Sequence, residues 1–330
     1  MAGRAGLSWG FRPDCICAEA FGLSYYDHRA DDIPTRHPAK EPGATERRVT
    51  CGAAPPRIGP GGNIGKETAM AATLRNAARE RLEAGELALG VILRQARTVD
   101  IAPIMQAAGY DWLFLDLEHN SMDLDMAVQI SVAALGAGIA PMVRVPARQL
   151  WMATRVLDGG ALGIVMPHID TPEEARQVAQ ALRYPPLGHR SVAGGLPHFG
   201  YAKLGLAETC TAINAATLVI VMLETPTAIE NAAAIAAVPG IDSLLIGTND
   251  LAMELGIPGA FGDERIAAAY QSVVDACRAN GKFAGVGGIA DRELLRRYIG
   301  MGVRLVLPGS DLGFMASAAS ECGAAMRAFL

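Results

Sequence analysis

Two carboxylates in this sequence stand where buried segments stop. Val219-Ile220-Val221-Met222-Leu223 is an unbroken apolar run that ends at Glu224, and Thr225-Pro226 then supplies an N-cap and a first-turn proline for a helix. Leu244-Leu245-Ile246 repeats the design and leads through Gly247-Thr248-Asn249 to Asp250. Taken singly, either acid reads as a helix-capping or loop carboxylate. Taken together, two successive apolar strands that each deliver an acid to their C-terminal end describe a metal site built of oxygen ligands.

Positioning such a pair requires a regular frame, and from about residue 74 onward the chain has one. A helix over about 74–84 leads to a strand at Leu87–Leu93, and a helix near 99–108 follows. Strand two is Trp112–Asp116, with a helix near 122–136; strand three is Ala140–Val145, with a helix near 148–157. Strand four is Leu162–Met166, and Thr171 and Glu174 have the spacing of a capping box at the start of its helix. After a glycine-rich loop over 185–203 come the two strands that end in acids, and a helix near 264–279. Strand seven is Phe283–Val286 and strand eight Leu305–Pro308, with helices near 291–302 and from 311 to 329. Eight apolar strands alternating with helices fit a (β/α)8 TIM barrel better than an open doubly wound sheet. A hydrophobic content of 51% is ample for its core.

In a barrel the functional loops follow the strand C-termini. Those positions hold Asp116, Glu118 and His119 after strand two, Arg144 at the end of strand three, and His168, Asp170 and later Arg190 and His198 after strand four. Each has a plain structural reading. His168 lies beside a helix cap, Glu173 and Glu174 favour a helix dipole, and Asp158 before Gly159-Gly160 is a turn residue. One histidine, one arginine and two carboxylates converging on one face of a barrel nonetheless make a reaction centre.

The motifs Asp116-Leu117-Glu118-His119, Met142-Val143-Arg144, Arg183-Tyr184-Pro185-Pro186-Leu187-Gly188-His189-Arg190, Leu223-Glu224-Thr225 and Ile246-Gly247-Thr248-Asn249-Asp250-Leu251 resemble those of the HpcH/HpaI aldolase/citrate lyase family, in order, from about residue 87 to the end. The resemblance implies a phosphoenolpyruvate/pyruvate-type barrel and a class II, metal-dependent aldolase. Its donor would be pyruvate or hydroxypyruvate and its acceptor an aldehyde. It implies Glu224 and Asp250 as metal ligands, Arg144 as the group that binds the 2-oxo acid and its enolate, and His119 with Asp116 as an acid/base pair. Asp158 matches an acid near the site, and the backbone at Gly247, Thr248 and Asn249 would hold the substrate carboxylate. One departure is Met222, where close relatives carry a glutamine, which removes a polar contact to substrate. Hard oxygen ligands favour Mg²⁺, Mn²⁺ or Co²⁺ as cofactor. The resemblance also implies a homo-oligomer, hexamer or trimer, through the small-residue helix at the end of the chain.

Other functions leave marks that this sequence lacks or carries weakly. A Schiff-base aldolase needs a lysine at a strand end; the four lysines are Lys40, Lys66, Lys203 and Lys282, and none ends a strand. Gly285-Val286-Gly287-Gly288-Ile289-Ala290, with Asp311 downstream, fits a dinucleotide fingerprint but stands alone at the end of the chain. An acyl-CoA lyase of the citrate lyase type and a non-catalytic 2-oxo-acid-binding barrel remain as alternatives. A net charge of −5 without a basic cluster argues against nucleic acid, and no apolar run reaches membrane-spanning length. Six cysteines without a paired C-x-x-C pattern point to free thiols in a reducing cytoplasm. Residues 1–69 have no sustained periodicity and read as a disordered extension before a barrel over 70–330; Gly62–Lys66 lacks the strand and Ser/Thr of a phosphate loop.

Overall fold

The computed structural model describes residues 74–330. The expected disordered extension over 1–69 lies outside the described residues. Eight parallel strands pair in chain order and close, β8 against β1. They are β1 (Ala88–Leu93), β2 (Trp112–Asp116), β3 (Ala140–Arg144), β4 (Gly163–Met166), β5 (Leu218–Leu223), β6 (Ser243–Gly247), β7 (Phe283–Gly287) and β8 (Leu305–Val306). The (β/α)8 barrel anticipated from the alternation is the fold. Every residue of β2 to β6 is buried, which is why these strands read as continuous apolar runs and not as alternating ones.

Twelve helices surround the strands among the described residues: α1 (Ala77–Glu83), α2 (Ile101–Ala107), α3 (Leu124–Ala137), α4 (Leu150–Asp158), α5 (Pro172–Leu182), α6 (Leu206–Ala216), α7 (Pro226–Glu230), α8 (Ala232–Ala236), α9 (Thr248–Glu254), α10 (Glu264–Ala279), α11 (Arg292–Met301) and α12 (Asp311–Arg327). The capping box at α5 forms: Thr171 Oγ1 accepts from the Glu174 amide at 3.2 Å, and the Glu174 carboxylate accepts from the Thr171 amide at 3.2 Å. Thr225 caps α7 as expected, accepting from the Ala228 amide. Helices α6, α8 and α9 were not anticipated. The first lies beyond the glycine-rich stretch, and the other two are short turns with no stripe long enough to read. Strand β8 stops at Val306, short of the expected Pro308.

The core has two layers. Alternate strand residues point outward to meet the helices, and the others, including Trp112, Phe114, Met142, Val165, Ile220 and Leu245, form a second cluster with Leu305. Gly90 leaves room for Trp112, since a Cβ there would stand 2.2 Å from the indole. No described helix is long and apolar enough to cross a membrane, and the described cysteines Cys210, Cys277 and Cys322 are free.

Candidate active site

The C-terminal rim of the strands collects the acids. Asp116, the last residue of β2, is 1% exposed and meets Arg144, the last residue of β3 and its register partner. Arg144 donates through Nε to Asp116 Oδ1 (2.9 Å) and through Nη2 to Oδ2 (2.7 Å). Its Nη1 lies 3.2 Å from Glu118 Oε2, and the guanidinium sits over the Phe114 ring at 5.1 Å. Burial alone would raise the Asp116 carboxyl; the Arg144 hydrogen bonds and charge, with the amides of Glu118 and His119, hold it below the usual range. Asp116 therefore stays ionised and fixes Arg144. Its contact with His119 is to the backbone amide (3.3 Å), and the carboxylate within 3.7 Å of the His119 ring is that of Glu118.

Glu118 thus occupies the centre of the array. Its carboxylate faces Arg144, His119 Nε2 at 3.7 Å and His168 Nε2 at 3.8 Å. The sequence marked it as an acid after strand two and as part of the Asp116–His119 motif; its position two residues before Asn120 says nothing of these partners. His168 holds a left-handed backbone, φ 54°, uncommon for a residue with a Cβ. That turn aims its amide at Glu224 Oε2 (2.8 Å), and its Nδ1 lies 3.2 Å from the same oxygen. The plain reading of His168 as a helix-capping neighbour therefore gives way to direct contact with the carboxylate that ends β5.

Glu224 is 2% exposed. Burial pushes its carboxyl up to about 7, the His168 amide and ring pull it down, and Asp250 and Glu118 push it further up. The glycine at 247 is required here, because a Cβ would stand 2.6 Å from Glu224 Cγ and Oε1. Asp250 lies in the first turn of α9, whose N-cap Gly247 has no side chain to satisfy the opening amides. Thr248 turns inward: Oγ1 donates to Gly287 O (2.7 Å) and meets Tyr270 Oη (2.7 Å), so only its backbone faces the rim. Asn249 is exposed and packs on Gly288, where φ is +86° and a Cβ would meet Asn249 Nδ2 at 2.7 Å.

A cavity of about 140 Å³ opens on this rim, lined by Arg94, Asp116, His119, Arg144, Asn249 and Asp250 over a floor that includes Phe114, Met222 and Leu245. Glu224 lies behind Gly247 and outside that lining. Met222 presents a thioether to the cavity where an amide would have offered hydrogen bonds. Arg94, which follows β1, was not singled out in the sequence; its one signal was a cation immediately after a strand.

Asp158, Arg190 and His198 lie elsewhere. Asp158 ends α4, just before β4 begins, and is therefore at the N-terminal rim; Arg190 and His198 belong to the segment between α5 and β5, at the same rim. Arg190 Nη2 donates to Asp158 (2.6 Å), and His198 Nε2 lies 3.1 Å from Ala161 O. Within one chain none of the three belongs to the site, because an αβ loop returns to the face opposite the strand ends. A larger cavity of about 520 Å³ lies at that rim, bordered by Leu135, Ile139, His198 and Phe199; no carboxylate lines it, so it lacks the chemistry of the smaller one.

Two alternatives fall to the geometry. Lys203 and Lys282, the lysines of the described residues, both lie in segments that lead into strands, so neither reaches the C-terminal rim. The glycines of the fingerprint belong to β7 of a closed barrel, where Gly285 and Gly287 make room for Leu245. Asp311 binds no ribose position; it accepts the amides of Arg94, Gln95 and Ala96.

The donor set fits a hard divalent ion. Glu224 directly follows β5, Asp250 lies in the first turn of α9 just beyond the adjacent β6, and their mutual repulsion is what a cation would relieve. Among the described residues no three His, Cys, Asp or Glu side chains converge as a ready ligand group. Two carboxylates with the remaining positions left to water and substrate is a pattern typical of Mg²⁺.

The fold, the paired strand-end acids and the sequence motifs place the chain in one class. Residues 92–318 match the family model HpcH/HpaI aldolase/citrate lyase, and the chain belongs to that family. It is 39% identical over 249 residues to a 4-hydroxy-4-methyl-2-oxoglutarate aldolase of Chaetomium globosum, covering 74% of this chain and 92% of that one. It is 33% identical over 259 residues to a hydroxypyruvate/pyruvate aldolase of Cupriavidus necator, covering 76% and 93%. The solved HpcH/HpaI aldolase from Desulfitobacterium hafniense DCB-2 superposes with a TM-score of 0.73 at 26% identity, covering 77% of this chain and 97% of that one.

Proposed function

We propose that this chain is a carbon–carbon lyase that makes and breaks aldols of 2-oxo acids, using a divalent ion held by Glu224 and Asp250. Pyruvate or hydroxypyruvate is the donor. The observation that carries this reading is the pair of carboxylates just beyond the ends of adjacent strands, one of them buried without an arginine or lysine to neutralise it, beside an arginine locked by two other acids. When bound, the ion supplies Lewis-acid stabilisation of the enolate oxygen; Mg²⁺, Mn²⁺ and Co²⁺ all suit the donors.

The chain's own residues do the rest. Arg144, held in place by Asp116 and Glu118, offers a fixed positive charge where the oxyanion of the 2-oxo acid develops. The opening amides of α9 at Thr248 and Asn249 receive the substrate carboxylate, with Gly247 keeping the approach clear. His119, directly or through a water, takes a proton from C3 of the donor, the methyl carbon of pyruvate or the hydroxymethyl carbon of hydroxypyruvate. The donor carbon then attacks the acceptor carbonyl carbon, whose π pair moves to oxygen, and His119 returns a proton to that oxygen. Cleavage runs the same steps backward. Glu118 steadies the imidazolium that forms in between.

We also assign a homo-oligomer, trimer or hexamer, in a reducing cytoplasm. Helix α12 has no buried residue in the single chain and exposes Phe314, Met315 and Met326, which a second copy would cover. Light scattering at micromolar concentration tests this, and a monomer would contradict it.

The test of the chemistry is exchange of pyruvate methyl protons with D2O, which needs no acceptor. Exchange is expected to require added divalent metal, to stop with chelator and to leave no borohydride-trapped lysine. Exchange that survives complete metal removal, or inactivation by borohydride with pyruvate, would overturn the reading.

A further inference from the structure

Arg94 is the cation of this site with no work assigned to it. Its backbone is fixed: the Asp311 carboxylate accepts the amides of Arg94 (2.9 Å), Gln95 (2.9 Å) and Ala96 (2.7 Å), and Arg97 Nη1 donates to the carbonyls of Arg94 and Ala96 at 3.0 Å. A loop held by five such bonds presents its side chain from a rigid base. The guanidinium lines the same cavity as Asp116, His119, Arg144 and Asp250, and its one hydrogen bond runs from Nη2 to His119 O at 3.3 Å. Among the described residues no carboxylate lies within ion-pair distance of Arg94, whereas Arg144 is taken up by two.

A guanidinium carries five N–H donors in a planar fork, and Arg94 commits one of them to the protein. A half-buried cation with free donors, facing a cavity, is suited to a planar oxyanion bound through paired hydrogen bonds. Topology says which part of the reaction it meets. In a closed ring of eight strands paired in order, β1 stands across from β5. Arg94 therefore faces Glu224 from the opposite side of the barrel mouth, away from the donor end of the site. Its bond to His119 O sets it beside the imidazole that protonates the acceptor oxygen.

We propose that Arg94 binds a carboxylate on the acceptor and so sets the preference, among short acceptors, for those with an anionic group next to the reacting carbonyl. This rests on the aldolase reading above. The bond-forming step is unchanged: C3 of the donor loses one proton, one C–C bond forms, and the acceptor oxygen gains one proton. Arg94 neutralises the second carboxylate and orients the carbonyl toward the donor carbon.

The experiment compares two acceptors of similar size, glyoxylate and glycolaldehyde, in pyruvate addition by the full-length protein with added Mg²⁺ or Mn²⁺. The wild type is expected to favour glyoxylate in kcat/KM. Arg94→Met is expected to lose about 10- to 100-fold on glyoxylate and far less on glycolaldehyde. Arg94→Lys restores part of the preference, and Arg94→Gln, which keeps a donor for His119 O without the charge, does not. A loss of equal factor on both acceptors in all three variants would mean that Arg94 only braces the loop and would overturn the proposal, as would an unchanged preference. Should Arg94→Met fail to fold by circular dichroism, the lysine and glutamine variants decide the question by the same ratio. Proton exchange by the wild type without acceptor separates the two levels. If exchange is absent, the enolisation reading fails; if exchange is present and the acceptor ratio does not respond to residue 94, only the assignment of Arg94 fails.

Discussion

The two rims of the barrel hold acids in opposite circumstances, half-buried Asp242 at one and buried Glu224 at the other. At the N-terminal rim Asp242 accepts from Arg79 Nη2 (2.8 Å), from Arg183 Nη2 and from the Val219 amide (2.7 Å), and Arg183 also donates to the carbonyls of Gly240, Asn214 and Thr217. At the C-terminal rim Glu224 is more deeply buried yet meets no arginine or lysine, only His168, and two other acids push against it. The first arrangement spends its charges on each other and ties α1, α5 and β6 together. The second leaves a negative field unneutralised, which a stability argument alone would not build. A deficit of positive charge at one rim and balance at the other separates the site from the scaffold.

The contrast can be broken at either rim. The largest expected effect is on the uncompensated side: Glu224→Gln or Asp250→Asn should lower proton exchange by roughly 10³-fold or more. Mn²⁺ binding followed by electron paramagnetic resonance should be lost with it, while the circular dichroism spectrum stays native. At the balanced rim the outcome should invert. Asp242→Asn leaves the buried Arg183 guanidinium without its anion, and the half-buried Arg79 with only Glu83, and is expected to cost about 3 kcal/mol in urea unfolding, while exchange per folded molecule is retained.

His119→Ala should fall between. It removes the proposed proton carrier and leaves the proposed ligands of the ion, so exchange should drop by about 10²-fold or more with Mn²⁺ affinity within a few-fold of wild type. Loss of Mn²⁺ binding in that variant would place His119 among the ligands instead.

A smaller effect sharpens the comparison through pH. The folded-state value of Glu224, about 7, lies above its ordinary 4.5, so the metal-free folded protein binds more protons than the unfolded chain between those values. Its stabilising contribution is full below the lower value and is lost as pH rises through the upper one. In chelator, the melting temperature of the wild type should therefore fall relative to Glu224→Gln between about pH 5 and about pH 8, and added Mg²⁺ should cancel the difference. Smallest of all, Thr171→Ala removes the cap of α5 outside both charge clusters and should cost about 1 kcal/mol in unfolding with no change in exchange.

Much of this was open to reading in the chain. Strands buried on both faces announce themselves as apolar runs, and the residue that ends such a run must lie at the rim, so Asp116, Arg144, Glu224 and Asp250 could be placed before any coordinates. The caps at Thr171 and Thr225 were equally plain, because a cap is satisfied within four residues of itself. Arg190 and His198 were misplaced for a related reason. They follow β4 in sequence, but α5 intervenes and carries the chain back to the other rim, and a reading by order alone counted them with the strand ends.

What the sequence by itself determined was the period of the chain, the barrel that follows from it, and the residue types delivered to the strand ends. Those depend on contacts between near neighbours and on the exclusion of apolar segments from water. Only the tertiary structure decided which charges cancel. Asp116 and Arg144 are 28 residues apart, and Glu118 and His168 come from different loops, yet the ring closes them into one array. That Asp116 meets Arg144, that Thr248 turns its hydroxyl to Tyr270, and that Arg94 has no carboxylate partner among the described residues were decided there. Charge pairing acts through space over a few ångströms, and linear order does not say which side chains a closed barrel brings within that distance.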